Sequence, residues 1–295
     1  VQTCALPIWA GHAGVSALTV AVEGRPYALA AGPDGAMWVT LVGAGSVARV
    51  DAGGEVRLFD VGADSRPMQI CAGPDGAMWF TCSGTSQLGR IAGDGALTFI
   101  ELDSGSAPFG IAVGPDDAVW FTAMDAGTVS RVAADGVVEQ VAVPRGMPSM
   151  ITAGGDGALW FTLNQKSAIG RLTVAGDLSI RPTPTPSAGP VGICATHDDA
   201  VWFTAIGADK LGRIPLNDAI QELDLPGKPH AVVADEADGV WVSLWGADGI
   251  ARVTADGEVS TFDLPPGSEP HGLAVDRDGA LWVALESGFV VRLPV

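Results

Sequence analysis

Apolar positions along the chain fall in short runs of five or six residues, broken at regular distances by Asp-Gly and Gly-Pro-Asp-Gly turns. Residues 68–72, 77–82, 87–91 and 96–101 make one such set, with Gly73-Pro74-Asp75-Gly76 after the first run and Asp94-Gly95 after the third. Short apolar runs joined by Asp-Gly read as antiparallel hairpins, because the glycine accepts the positive φ that a tight turn needs. Four strands of this kind make one small sheet.

The set repeats. Tryptophan recurs at Trp38, Trp79, Trp120, Trp160, Trp202, Trp241 and Trp282, at spacings of 41, 41, 40, 42, 39 and 41 residues. Proline keeps the beat at Pro26, Pro67, Pro108, Pro148, Pro190, Pro229 and Pro270, and arginine at Arg49, Arg90, Arg131, Arg171, Arg213, Arg252 and Arg292. A period of that size through a whole chain marks a repeat architecture, and small sheets that cannot bury both faces alone do so when packed radially. The sequence therefore predicts an all-β chain folded as a seven-bladed β-propeller with four-stranded blades. The seventh unit supplies three strands, while residues 17–23 resemble the outer strands at 55–60 and 258–263. This N-terminal strand is expected to close the last blade and remove an open edge. Residues 1–14 match no repeat and have no charged n-region. They are expected to be an artefactual or disordered tail, with residues 15–295 forming a single domain.

Composition narrows the partners. The chain carries 16 Lys and Arg against 34 Asp and Glu, a net charge of −18. A field of that sign repels phosphate backbones and anionic lipid, which argues against nucleic acid and membrane partners. Nearly half of the residues are hydrophobic, so this is no disordered acidic segment, yet no apolar run is long enough to span a bilayer. A cytoplasmic monomer is expected, since strand pairing at the termini closes the open edge. The four cysteines, Cys4, Cys71, Cys82 and Cys194, show no CxxC spacing; Cys71 and Cys194 hold equivalent strand positions and read as small core hydrophobes.

Chemistry belongs where the copies differ. In each blade the innermost strand starts after the proline and the second strand ends about four residues past the tryptophan, so both places share one rim of the central channel. After the proline come Tyr27, Met68, Phe109, Ser149, Val191, His230 and His271; before it, Arg25, Arg66, Ala107, Met147, Gly189, Lys228 and Glu269. Four past the tryptophan come Val42, Ser83, Met124, Asn164, Ile206, Trp245 and Glu286. Most are apolar or neutral, and the ionisable exceptions of interest gather in blades six and seven: His230, Glu269, His271 and Glu286. Two carboxylates on one rim suit a hard divalent cation such as Mg²⁺, which takes oxygen ligands and keeps several waters. A histidine between them suits proton transfer. Tyr27, Met68, Phe109, Met124 and Trp245 offer an apolar floor for a bulky ligand. His12 and His197 read as surface residues, the repeated tryptophans and arginines as ties between blades, and the turn aspartates as turn formers.

The repeat GPDGAMWFT…GRI, the segments GPVGI, KPHAV and SEPHG, and the glutamate ending VALE resemble the virginiamycin B lyase (streptogramin B lyase) family through all seven units. The resemblance implies a Mg²⁺-dependent carbon–oxygen lyase that confers antibiotic resistance by linearising type B streptogramins. These are cyclic depsipeptides closed by an ester, which the family opens by elimination rather than hydrolysis. It also implies His271 as the catalytic proton acceptor, His230 as a substrate-binding residue, Glu269 and Glu286 as Mg²⁺ ligands, and Trp245 as an aromatic near the cleft. Tyr27 and Phe109, from the apolar floor, complete the expected substrate contacts. Where the family often has Glu-Asn after its WFT, this chain has Leu41-Val42, Cys82-Ser83, Ala123-Met124 and Ala205-Ile206, so its rim is more apolar.

Two other readings compete. A metal-dependent lactone hydrolase on the same scaffold would hold its metal centrally on Glu, Asn and Asp from several blades, and at the blade ends only Asn164 offers such a ligand. A non-catalytic binding module would present the rim to a peptide or protein and need no metal.

Overall fold

The second strand of each blade is apolar at almost every position and bounded by turns, the pattern of a strand buried on both faces. Met37–Leu41, Met78–Cys82 and Leu281–Leu285 are buried throughout. In the computed structural model, which describes residues 17–133, 136–144, 146–215 and 218–294, these strands sit inside seven four-stranded antiparallel sheets. Blade one runs outward from Pro26–Ala31 through Met37–Leu41 and Ser46–Val50 to Val56–Asp60. Blade seven takes Pro270–Val275, Leu281–Leu285 and Phe289–Leu293 and is completed by Leu18–Ala21, with Leu18 opposite Arg292 and Ala21 opposite Phe289. The N-terminal strand thus closes the last blade as the repeat predicted. The tail expected at 1–14 lies outside the described residues. No helix among the described residues is long and apolar enough to cross a membrane.

Tryptophan and arginine divide the work that the sequence assigned to both. Trp38 packs with Phe59 of its own blade and with Ile70, Met78 and Phe80 of blade two, so the indole does tie blades together. The arginine acts inside its own blade, because it sits directly across from the tryptophan on the third strand. Asp34 in the turn accepts from Trp38 Nε1 at 3.2 Å and Arg49 Nε at 2.5 Å. Asp75, Asp116, Asp156 and Asp276 bind their own Trp and Arg in the same way. The turn aspartate is therefore an anchor as well as a turn former.

The polar tie between blades is a hydroxyl. Thr40 Oγ1 accepts from the Ala28 amide of its own blade at 3.0 Å and donates to the Met68 carbonyl of blade two at 2.7 Å. Thr81 binds Phe109 O (2.6 Å), Thr162 binds Val191 O (3.0 Å), Thr204 binds His230 O (2.6 Å) and Ser243 binds His271 O (2.8 Å); Thr122 binds Ser149 O likewise. A bulge frees those carbonyls: in six blades the register between the inner two strands breaks after the proline, as between Pro26 and Leu29. The residue after the proline leaves its own ladder and faces the next blade. Blade four differs, its innermost strand starting only at Ile151. At the seam from blade seven to blade one the equivalent position is Ala284, which has no hydroxyl to give.

Volume is conserved across the second and third strands. Phe80, Phe161 and Phe203 lie opposite Gly89, Gly170 and Gly212, whereas Val39 and Val242 lie opposite Ala48 and Ala251. A Cβ on Gly212 would run into the Phe203 ring. Gly212→Ala is therefore expected to cost about 1–3 kcal/mol by overpacking. Adding Phe203→Val, which recreates the Val/Ala pair of blade one, recovers part of that loss; urea unfolding of the four species measures the coupling. Ala284→Ser, supplying the missing seam hydroxyl, is expected to raise stability by about 1 kcal/mol in the same assay.

Candidate active site

In blades one, six and seven the bulge after the proline sets a side chain at the channel mouth, and ring closure makes these blades neighbours. The side chains they bring together are His230, His271 and Tyr27. The His230 and His271 ring centroids are 4.0 Å apart, Tyr27 lies 4.4 Å from His271 and 6.4 Å from His230, and Phe109 meets Tyr27 edge-on at 6.3 Å. The Thr204 and Ser243 hydroxyls hold the two histidine carbonyls, so the imidazoles stand on a fixed backbone. With Gln69, Met150 and Val191 these rings line a cavity of about 70 Å³. That volume takes a few waters at most, so a larger ligand must lie across the rim above it.

Glu286 joins this cluster to its surroundings. Its Oε1 lies 2.7 Å from His271 Nε2, and its Oε2 accepts from Arg25 Nη2 at 2.8 Å. The Glu286 amide donates to the Glu269 carbonyl at 3.2 Å, one instance of a link that also joins Val42 to Arg25, Ser83 to Arg66 and Trp245 to Lys228. The two acidic residues are thus neighbours because the repeat pins the end of every second strand to the pre-proline residue. Glu269 is exposed, with positive φ (47°) and its amide bound to Asp248 Oδ1 at 2.8 Å.

Burial governs the charge state. It depresses His271 to about 4, with the nearby Arg25 guanidinium adding to the effect. His230 falls to about 3 through burial first and the neighbouring His271 second. Both imidazoles are therefore neutral at pH 7. With Nε2 of His271 committed to Glu286 as donor, its basic lone pair is on Nδ1, a buried atom with no partner among the described residues. The Tyr27 hydroxyl is pushed above its ordinary range by burial and by Glu286, so it remains a protonated donor.

Of the residues singled out in the sequence, His230, His271, Glu286, Tyr27 and Phe109 converge. Glu269 adjoins through its backbone. Trp245 lies in the turn Trp245–Ala247, with Lys228 Nζ 5.5 Å above its ring. Asn164 spends its side-chain amide on Pro190 O at 3.3 Å. Sequence reasoning passed over Arg25, although its place before the first proline on a closed ring puts it beside blade seven. It also passed over the Thr of WFT, whose hydroxyl fixes the site's backbone.

For a cation, the donor chemistry fits. Glu269 and Glu286 are hard oxygen donors on residues joined by a backbone hydrogen bond, and each Glu286 oxygen, with one hydrogen bond, keeps a second lone pair. No third His, Cys, Asp or Glu groups with them as a metal site among the described residues, so an ion held here would keep most of its waters, as Mg²⁺ does.

Comparison with known proteins shows the family. The model of the virginiamycin B lyase family matches residues 14–293. A virginiamycin B lyase of Mycolicibacterium smegmatis is 69% identical over 278 residues, covering 94% of this chain and 99% of that protein. A streptogramin B lyase structure superposes with a TM-score of 0.90 at 33% identity, covering 94% of this chain and 96% of the other. A catalytically inactive histidine-to-alanine virginiamycin B lyase from Staphylococcus aureus, solved with quinupristin, superposes equally well (TM-score 0.90, 32% identity, 95% and 99% covered). The match runs through every blade, and the chain belongs to the virginiamycin B lyase family and is a lyase.

Proposed function

We propose that this lyase linearises type B streptogramins by elimination at the ester that closes the ring, conferring resistance to them, with His271 as the base. The observation that carries this reading is the buried, neutral His271 held on Glu286 between Tyr27 and His230. In such an elimination the base takes the Cα proton of the threonine whose side chain forms the ester. The Cβ–O bond then breaks, and the carboxylate leaves with the electron pair. The His271 imidazole receives the proton, and Glu286 orients the ring and stabilises the imidazolium once formed. Tyr27 and His230 orient the substrate, and the apolar rim with Phe109 and Trp245 carries the macrocycle and limits water at the reacting carbon. Glu269 and Glu286 would hold Mg²⁺, which would supply positive charge where negative charge develops on the substrate carbonyl. Relatives named for this activity at 69% identity support the reading.

Mass spectrometry of quinupristin incubated with the protein tests it, with Mg²⁺ and with EDTA. Elimination gives a ring-opened isomer of unchanged mass and is expected only with Mg²⁺. A product one water heavier would instead establish a lactone hydrolase, and no product would overturn quinupristin as a substrate and leave the ligand of the site unknown. His271→Ala is expected to lose about 10²–10⁴-fold in kcat with unchanged unfolding behaviour in urea.

The pH dependence carries its own sign. A base held near 4 stays unprotonated on lowering the pH from 8 to 5, so kcat/KM should be level across that range and fall only as His271 takes a proton near 4. A drop centred near 6.5, where free imidazole titrates, would overturn the depression of His271 by burial and leave its role to the His271→Ala variant.

A further inference from the structure

We propose that Arg25 is the resident counter-ion of Glu286 and competes with a divalent cation for that carboxylate, so that Arg25 sets how tightly the cation is held. The inference rests on the reading of Glu269 and Glu286 as cation ligands. Arg25 Nη2 lies 2.8 Å from Glu286 Oε2 across the seam between blades one and seven. The guanidinium is 64% exposed, whereas Glu286 is 15% exposed, so the arginine is free to swing into solvent while the carboxylate stays fixed by His271 at 2.7 Å.

The same position in other blades shows that this contact is particular to the seam. Arg66 and Lys228 also precede the proline with positive φ, but the blade-end residue of the preceding blade is Val42 or Ile206 rather than a carboxylate. Lys228 instead covers the Trp245 ring. Only at Arg25 does a pre-proline cation meet a blade-end carboxylate of its neighbour. A divalent ion drawn to Glu269 and Glu286 meets the guanidinium at the same oxygen, and two cations that close repel each other. An ion bound with Arg25 in place meets that repulsion, and one bound with Arg25 displaced loses the ion pair, so in either case Arg25 lowers the ion's apparent affinity.

Mn²⁺, a hard ion that takes the same oxygen ligands, is the probe, with free Mn²⁺ followed by electron paramagnetic resonance. Arg25→Ala is expected to bind it about threefold to tenfold tighter than wild type, the scale of a largely exposed ion pair plus the lifted repulsion. Arg25→Lys, which keeps the charge, is expected to stay near wild type, and Glu286→Gln to lose binding. Equal or weaker binding by Arg25→Ala, with Glu286→Gln still deficient, would overturn the competition and leave the cation reading standing. Absence of Mn²⁺ binding in every variant would overturn both. Urea unfolding of each variant confirms that it is folded.

Discussion

Six hydroxyl groups, one at the end of the second strand in each of blades one to six, hold the ring of blades together and also build the site. Each takes the amide of its own blade and gives a hydrogen bond to the carbonyl after the next blade's proline. All of them are at least partly buried, where a lost partner costs more than a typical bond contributes. In blades three, five, six and seven the carbonyl that receives the bond belongs to the residue whose side chain lines the channel mouth, whereas in blades two and four the next residue, Gln69 or Met150, lines it. Scaffold and chemistry therefore share one device. The bulge that releases the carbonyl also aims the side chain, and the hydroxyl then locks both.

The second level is electrostatic. Two imidazoles 4.0 Å apart in a buried place would repel each other if charged, and burial already disfavours the charged form. The result is a pair of neutral rings in a strongly acidic protein. Such burial opposes the usual tendency of a negative protein field to keep histidines protonated. Glu286 completes the arrangement by accepting a hydrogen bond from His271 Nε2, which fixes the tautomer of the neutral ring.

How much of this was legible in the sequence follows from the length scale of each feature. The period of Trp, Pro and Arg announced the blades, their number and the closing strand, because each rests on spacing alone. The convergence of His230, His271, Glu286, Tyr27 and Phe109 was legible once positions were compared across copies, since a closed ring fixes which copies are neighbours. Two features needed coordinates. That Arg49 and its equivalents bind their own turn aspartate rather than the next blade depends on a side-chain direction that periodicity does not encode. Arg25 looked like one more rim charge because its partner lies 261 residues away, and only the closed ring places the guanidinium on Glu286. Trp245 is a further case: its position in the repeat was legible, whereas the Lys228 ammonium 5.5 Å above its ring was not.

The site also lies where the ring is weakest in polar ties. At five of its joins a Thr hydroxyl crosses to the next blade and at a sixth Ser243 does, but at the seam between blades seven and one Ala284 leaves that bond unmade. What crosses there instead is the Arg25–Glu286 ion pair, together with the close approach of Gly272 to the Tyr27 carbonyl, where any Cβ would collide. Closure of blade seven by Leu18–Ala21 is consequently a condition for function as well as for stability. It brings Tyr27 and Arg25 against His271 and Glu286 from the far end of the chain, and the entropy of joining those ends is met by the strand pairing rather than by the site. A seam tied by an ion pair in place of that hydroxyl is responsive to whatever binds the carboxylate, and the candidate site lies at this seam.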